Sequence, residues 1–172
     1  MKTLIIYDSA YGNTEQIANA IGTAIGAAIG STPGTPQSVQ TLRVNSAKPE
    51  QLVGLDLLIV GAPTQRFRTT ETMTGFLKSI PANGLSGVRV AAFDTRLSLN
   101  DIESSTFRLI IKTGGFAAKH IADRLKKCGG DLILPPEGFL VKDMEGPLLE
   151  GELERAAHWA KRATSFTAGR DS

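Results

Sequence analysis

The sequence is poor in cysteine and histidine, and this scarcity excludes two ways of stabilising a small protein. A single cysteine, Cys128, excludes an internal disulfide and fits a reducing compartment. Only His120 and His158 accompany it, so the chain has no plausible set of zinc ligands. We therefore expect neither a disulfide-rich protein nor a zinc-stabilised one, and no metal site.

The chain also lacks strong charge and long apolar runs. Its net charge is +2, and it contains no block of five like charges, so we expect no nucleic-acid partner. No basic segment precedes an apolar core and a cleavage site, as a secretory signal requires. The apolar residues 17–30 are fewer than the roughly 20 that span a bilayer. We expect a cytoplasmic protein without a membrane span.

Apolar runs and helical patterns alternate along the 172 residues, which suffice for one domain with a real core. Strands are predicted at residues 3–8, 38–44, 56–61, 88–93 and, interrupted by two prolines, at 132–134 with 139–141. Helices are predicted at residues 14–29, 70–80, 116–128 and 148–163. This alternation indicates a doubly wound parallel sheet with right-handed crossovers. We expect one domain over residues 1–163 and a flexible tail over residues 164–172.

The segment LIIYDSAYGNT, residues 4–14, reads as a strand, a small polar turn and the start of a helix. The first N–H groups of a helix have no internal partner, and the helix dipole is positive there, so this arrangement suits a phosphate. Ser9, Asn13 and Thr14 add side-chain donors, and Gly12 allows close approach of the backbone. The alternative is an ordinary strand-to-helix turn capped by threonine or asparagine.

This turn resembles the phosphate-binding loop of the flavodoxin family, whose pattern is Ser/Thr-x-x-Gly-x-Thr after the first strand. Ser9, Gly12 and Thr14 match that pattern. The resemblance extends, in element order, over residues 1–163. It implies the short-chain flavodoxin-like fold, a doubly wound five-stranded parallel sheet of order 2-1-3-4-5 with helices on both faces. It also implies FMN as the cofactor, whose phosphate this family holds without a lysine.

In such a sheet, the turns after strands one, three and four meet at the switch point, where ligands bind. Here they are residues 9–14, 62–67 and 94–97, which match the family's phosphate loop and its two ring-flanking loops. No catalytic residue is expected. The expected cofactor-binding residues are Ser9, Ala10, Tyr11, Gly12, Asn13, Thr14, Ala62, Pro63, Thr64, Gln65, Arg66, Phe67, Asp94, Thr95 and Arg96.

Aromatic side chains are scarce around these three turns. Trp159 lies in the last predicted helix, so it is not the tryptophan that the family often stacks on the flavin. Phe67 is the nearest aromatic residue of the second turn, and the third has none before Phe107. Tyr11 stands where many members have a small hydroxyl residue. One missing stack costs about 0.5–1.5 kcal/mol, which weakens FMN binding without abolishing it.

Arginines are concentrated in the two ring-side turns. Arg66, Arg68 and Arg96 fall there, and only Glu71 and Asp94 oppose them nearby. Because positive charge favours the anion of a reduced flavin, we expect a less negative potential for the second electron than acidic carriers have.

Three functions remain open on these residues. An FMN-dependent electron carrier, served by a redox partner protein or an NAD(P)H-linked reductase, is favoured. An NAD(P)H-dependent quinone or FMN reductase is the second, with the arginines on the nicotinamide cofactor's phosphates and residues 97–115 as a lid or dimer contact. A flavin-free scaffold or interaction domain is the third. The protein is expected to be a monomer or a homodimer.

Overall fold

Six strands and four α-helices make up the part of the chain that the structure describes. The structure is a computed structural model, and it describes residues 1–30, 37–98 and 115–165. The strands are β1 (Lys2–Tyr7), β2 (Ser38–Arg43), β3 (Leu57–Pro63), β4 (Arg89–Leu97), β5 (Asp131–Leu132) and β6 (Glu137–Val141). The helices are α1 (Asn13–Ile29), α2 (Glu71–Ser79), α3 (Ala117–Lys127) and α4 (Glu152–Ser165). Short 3-10 turns lie at Val44–Ser46 and Pro49–Leu52.

The strands form one parallel sheet of order β2-β1-β3-β4-β5, and β6 also pairs with β4. This confirms the predicted doubly wound order 2-1-3-4-5. The predicted last strand is present as the two short strands β5 and β6. Both lie along the same edge of β4, on either side of the break that Pro135 and Pro136 impose.

Strand β4 is longer than its apolar run indicates, and this corrects one prediction. Residues 94–97 were expected as a turn, but they continue the strand to Leu97. Asp94 and Thr95 pair with Ala62 and Pro63 of β3, and the whole segment pairs with β6. The backbone hydrogen bonds of these two neighbours hold the segment extended although its side chains are polar.

The final helix begins at Glu152, four residues later than predicted. The residues before it are tied to the end of the sheet instead. Leu149 N–H donates to the Leu140 carbonyl at 2.9 Å, and Lys142 N–H donates to the Pro147 carbonyl at 2.8 Å. A loop at residues 142–149 therefore folds back at the carboxyl end of β6.

The two faces of the sheet carry separate apolar cores, because successive side chains of a strand point to opposite faces. On one face α2 and α3 cover Leu4, Leu58, Val60, Val90 and Ala92. On the other face α1 and α4 cover Ile5, Leu57, Ile59, Ala91 and Phe93. Helices thus lie on both faces, as predicted.

Three aromatic rings fill the second core. Phe93, Phe139 and Trp159 meet edge to face, with ring centroids 6.0 to 6.3 Å apart. Trp159 is only 4% exposed, so its ring belongs to this core. Gly61 of β3 lies directly against Phe93, and a Cβ there would be 2.1 Å from the ring atom Cζ.

Two expectations fall largely outside the described residues. The segment 97–115, expected as a lid or a dimer contact, is described only at its ends, and the expected tail at 164–172 only at its first two residues. Within the described ranges, none of the helices has the length and apolar character needed to traverse a bilayer.

Candidate functional site

A cavity of about 850 Å³ opens at the carboxyl ends of β1, β3 and β4. This volume lies within the roughly 300–1,000 Å³ that is typical of small-molecule and cofactor sites. The residues that line it are Ser9, Ala10, Tyr11, Asn13, Thr14, Pro63, Thr64, Gln65, Arg66, Phe67, Arg68, Thr69, Thr70, Glu71, Thr95, Arg96, Leu97, Phe116, Val141 and Met144. Of the expected binding residues, Gly12, Ala62 and Asp94 do not line the cavity, and Ala62 and Asp94 are fully buried.

One end of the cavity is the amino terminus of α1. Gly12 is its N-cap and has φ of 86°, a conformation that glycine adopts without strain. The Gly12 N–H donates to Ser9 Oγ at 3.0 Å, which closes the turn on itself. Among the described residues, no acceptor receives the backbone N–H groups of Ala10, Tyr11, Asn13, Thr14 and Glu15. Several free donors and the positive end of the helix dipole give this turn the features that suit an anion.

Asp8, the residue that follows β1, holds the turn before α1 in place. One carboxylate oxygen accepts the Ser9 N–H at 2.9 Å, and the other accepts the Thr70 hydroxyl at 2.6 Å. The Thr70 oxygen in turn accepts the Met73 N–H at 3.2 Å, which caps α2. Asp8 thereby fixes the first turn to the start of α2.

Arg43 brings a positive charge to the same turn from the end of β2. Its Nη2 donates to the Ser9 carbonyl at 2.5 Å and lies 3.8 Å from an Asp8 carboxylate oxygen. The sequence contains no lysine or arginine between Thr3 and Pro36, so this cation is missed by reading the turn alone. The pairing of Tyr7 with Arg43 across β1 and β2 is the signal that places it there.

Two further contacts join the first turn to other elements. The Thr14 and Thr95 hydroxyls lie 2.8 Å apart, so α1 is tied to β4. The Asn13 amide donates to the Glu145 carbonyl at 3.0 Å, which ties α1 to the loop at residues 142–149. Part of the donor capacity expected of the Asn13 side chain is therefore used within the protein.

The second turn, after β3, is tight. Gln65 and Arg68 exchange backbone hydrogen bonds of 2.8 and 2.9 Å. Arg66 and Phe67 between them have φ of 47° and 64°, which is the left-handed region that residues with side chains rarely occupy. Such strain is common in ligand clamps and is held here by the surrounding bonds. Arg66 and Arg68 are exposed at the cavity mouth.

Thr64 links this second turn to the start of α3. Its N–H donates to the Thr95 carbonyl at 2.9 Å, and its hydroxyl oxygen accepts the Ala117 N–H at 3.0 Å. The Thr64 hydroxyl therefore accepts a hydrogen bond from the first turn of α3. The walls formed by β3, β4 and α3 are consequently one connected unit.

Asp94 and Arg96 form a pair inside the third predicted segment. Asp94 is fully buried, and Arg96 holds its two oxygens through Nε at 2.5 Å and Nη2 at 2.8 Å. The Ala118 N–H of α3 donates to the same carboxylate at 2.9 Å. Burial raises the pKa of the Asp94 carboxyl above its ordinary value, against the opposing effects of Arg96 and the Ala118 N–H. Asp94 thus positions Arg96 and does not line the cavity.

Seven lining residues lie outside the predicted turns. Arg68, Thr69, Thr70 and Glu71 directly follow the second turn, whereas Phe116, Val141 and Met144 come from other parts of the chain. The Phe116 ring lies under the Arg96 guanidinium, 3.6 Å from its centroid to Cζ. Phe116 precedes α3, and β6 and the loop after it bring the other two residues to the site. Periodicity gives no sign that these distant segments reach one cavity.

No family model and no curated protein sequence matches this chain. Among solved structures, it is similar to a flavodoxin from the domain Archaea, with 22% identity and a TM-score of 0.69 over 96% of this chain and 98% of that one. Flavodoxin 1 from Bacillus cereus has 18% identity and a TM-score of 0.73, over 96% and 98%. Rubredoxin oxygen:oxidoreductase from Desulfovibrio gigas has 20% identity and a TM-score of 0.70, over 97% of this chain but 36% of that one. The chain has the flavodoxin-like fold, as predicted.

Proposed function

We propose that this flavodoxin-like protein binds FMN and transfers electrons through it. The observation that carries the proposal is the set of free backbone N–H groups around Gly12 at the α1 end of the cavity. A phosphoryl group is the ligand that such a set of donors at a helix terminus favours. The proposal agrees with the solved neighbours, several of which are flavodoxins.

The residues fit the two ends of a flavin nucleotide. The phosphoryl group would be held by the free N–H groups of Ala10, Tyr11, Asn13, Thr14 and Glu15, with Arg43 compensating the charge of the nearby Asp8. The ring would lie between the second turn and the end of β4, where the wall is apolar near Phe67, Phe116 and Met144. When bound, FMN supplies the electron-accepting ring, and the protein supplies binding, orientation and electrostatics.

A reductase on the same fold is the second candidate. Arg66 and Arg68 are exposed at the cavity mouth, where the phosphates of a nicotinamide cofactor would find them. An electron carrier needs the same cavity but no binding site for a hydride donor. Steady-state oxidation of NADPH with a quinone acceptor separates the two, because only the reductase turns over without a protein partner.

The cofactor proposal is tested by calorimetric titration of the purified protein with FMN and, separately, with riboflavin. We expect FMN to bind at micromolar concentration or below and riboflavin to bind more weakly, because riboflavin lacks the phosphate. The absorption spectrum of the protein with FMN would show perturbed flavin bands. Folded protein that takes up neither compound would overturn the proposal, and equal affinity for both would remove the phosphate site from it.

Substitution of Arg43 is expected to weaken FMN binding selectively. In Arg43→Met, the Asp8 charge behind the anion site loses its compensating cation. Charged hydrogen bonds contribute about 1.5–3 kcal/mol. Because the Arg43 side chain is 48% exposed, we expect a loss below that range, about 1 kcal/mol, or roughly a fivefold rise in the FMN dissociation constant.

The matched control is Arg162→Met, in the last turn of α4. It removes an exposed arginine at the opposite end of the sheet, because α4 runs antiparallel to the strands. Riboflavin affinity should be nearly unchanged in both variants. Equal losses for FMN and riboflavin in Arg43→Met would mean that Arg43 acts on the fold of the site and not on the phosphate.

A further inference from the structure

The Arg96 guanidinium is held on nearly every side by the protein. Asp94 occupies Nε and Nη2, and the Phe116 ring lies 3.6 Å from Cζ. Gly138 of β6 is so close that a Cβ there would be 2.2 Å from Cζ. The two N–H groups of Nη1 find no acceptor among the described residues, and Arg96 lines the cavity.

The position of Arg96 in β4 places it away from the phosphate end. Successive strand residues point to opposite faces. Thr95 points to the α1 face, where its hydroxyl contacts that of Thr14. Arg96 points to the α3 face, where it contacts Phe116. The free Nη1 edge therefore lies on the α3 side of β4. If the phosphate binds at α1, this side is left for the rest of the ligand.

From this geometry we infer that Arg96, fixed by Asp94, presents its Nη1 edge to the flavin ring and raises the potential of the second electron. The inference rests on the proposed FMN binding and narrows the expected effect of three arginines to this one. Arg66 and Arg68 are exposed, so water and salt screen them, whereas the Arg96 side chain is 18% exposed.

The pair carries no net charge, so its effect is that of an oriented dipole. Its positive end is the Nη1 edge, on the side of the guanidinium away from Asp94, and its negative end is the fully buried Asp94 carboxylate. Neutralising Asp94 and neutralising Arg96 should therefore move the potential of the second electron in opposite directions. Loss of the arginine leaves a buried negative charge that disfavours a reduced anionic ring. Loss of the carboxylate charge leaves the arginine unopposed.

The test is potentiometric titration of bound FMN in Asp94→Asn and in Arg96→Met. We expect the second-electron equilibrium to shift at least tenfold towards reduction in Asp94→Asn, which is about +59 mV for one electron. We expect at least a tenfold shift the other way in Arg96→Met. The controls Arg66→Met and Arg68→Met should shift it less than threefold, and high salt should remove that shift.

A double variant keeps the test decisive if Arg96→Met fails to fold with an unpaired buried carboxylate. Asp94→Asn with Arg96→Met buries no net charge, and its potential should lie below that of Asp94→Asn alone.

Potentials that are equal in all variants, or that move in the same direction in both single variants, overturn the inference. So does a loss of FMN affinity in Arg96→Met that riboflavin does not share, with potentials unchanged. Wild-type protein that takes up no FMN would overturn the proposed function as well, which distinguishes the two failures.

Discussion

Replacement of Phe93 by alanine is expected to lower the free energy of unfolding by about 3–5 kcal/mol. The Phe93 side chain is fully buried between Phe139 and Trp159, which belong to β6 and α4. Removing the ring leaves a cavity that two large aromatic neighbours cannot fill without losing their own contacts. Urea denaturation of the ligand-free protein, followed by circular dichroism, measures the change.

A matched control is Val53→Ala. Val53 is 73% exposed, so its substitution should change the stability by less than about 0.5 kcal/mol. A loss in Phe93→Ala no larger than this control would mean that the aromatic cluster does not hold β4, β6 and α4 together.

The contact of Phe93 with Gly61 adds a second, coupled test. An alanine Cβ at position 61 would be 2.1 Å from Phe93 Cζ, so Gly61→Ala alone should destabilise the protein by about 1–3 kcal/mol. Leucine at position 93 has no ring at that point, and in Phe93→Leu the same substitution should cost less. An equal cost in both backgrounds would show that strain in the strand, and not the ring, excludes alanine.

The layers and strand order of this fold follow from patterns that are local in the sequence. The apolar run at residues 57–60 is typical of a central strand covered on both faces, and the structure places it between β1 and β4. Helix α3 was predicted within one residue at each end, because Ile121 and Leu125 recur at helical spacing and two glycines follow. The start of α4 was predicted too early. Periodicity carries no information on hydrogen bonds to another strand, such as the one from Leu149 N–H to the Leu140 carbonyl of β6.

The site divides in the same way. The turn around Gly12 is a single stretch of sequence, and its strand, turn and helix can be recognised from composition alone. Arg43, Phe116 and Met144 reach the cavity only through the pairing of β2, the start of α3 and the loop after β6. No pattern within a short window contains that information.

The charges around the cavity show why side-chain contacts change a prediction from composition. Counted along the sequence, Arg66, Arg68 and Arg96 form one positive group opposed by few acids. In the structure Asp94 pairs with Arg96, whereas Arg66 and Arg68 are exposed at the cavity mouth. The expected bias towards a reduced anionic flavin therefore depends on the orientation of one ion pair, and the net charge of the turns does not measure it.

The largest effect on FMN binding is expected at the first turn of α1, where we propose that the phosphate lies. Ala10 is exposed, lines the cavity and lies within the turn whose N–H groups are free. Ala10→Asp would place a carboxylate beside the phosphate of FMN. Unit charges about 4 Å apart interact with about 4 kcal/mol at an effective dielectric constant of 20. At this solvent-exposed mouth we expect about half of that, roughly 2 kcal/mol or a 30-fold weaker FMN affinity.

Ala10→Asn is the matched control for this substitution, because it has nearly the same shape as Ala10→Asp and no charge. Calorimetric titrations of both variants with FMN and with riboflavin give four affinities at one salt concentration. Only FMN binding to Ala10→Asp should fall by more than about threefold, and added salt should restore part of it, because screening weakens the repulsion. A similar fall for riboflavin, or for FMN in Ala10→Asn, would mean that the side chain at position 10 obstructs the cavity by its size. The phosphate would then have to be sought away from the first turn of α1.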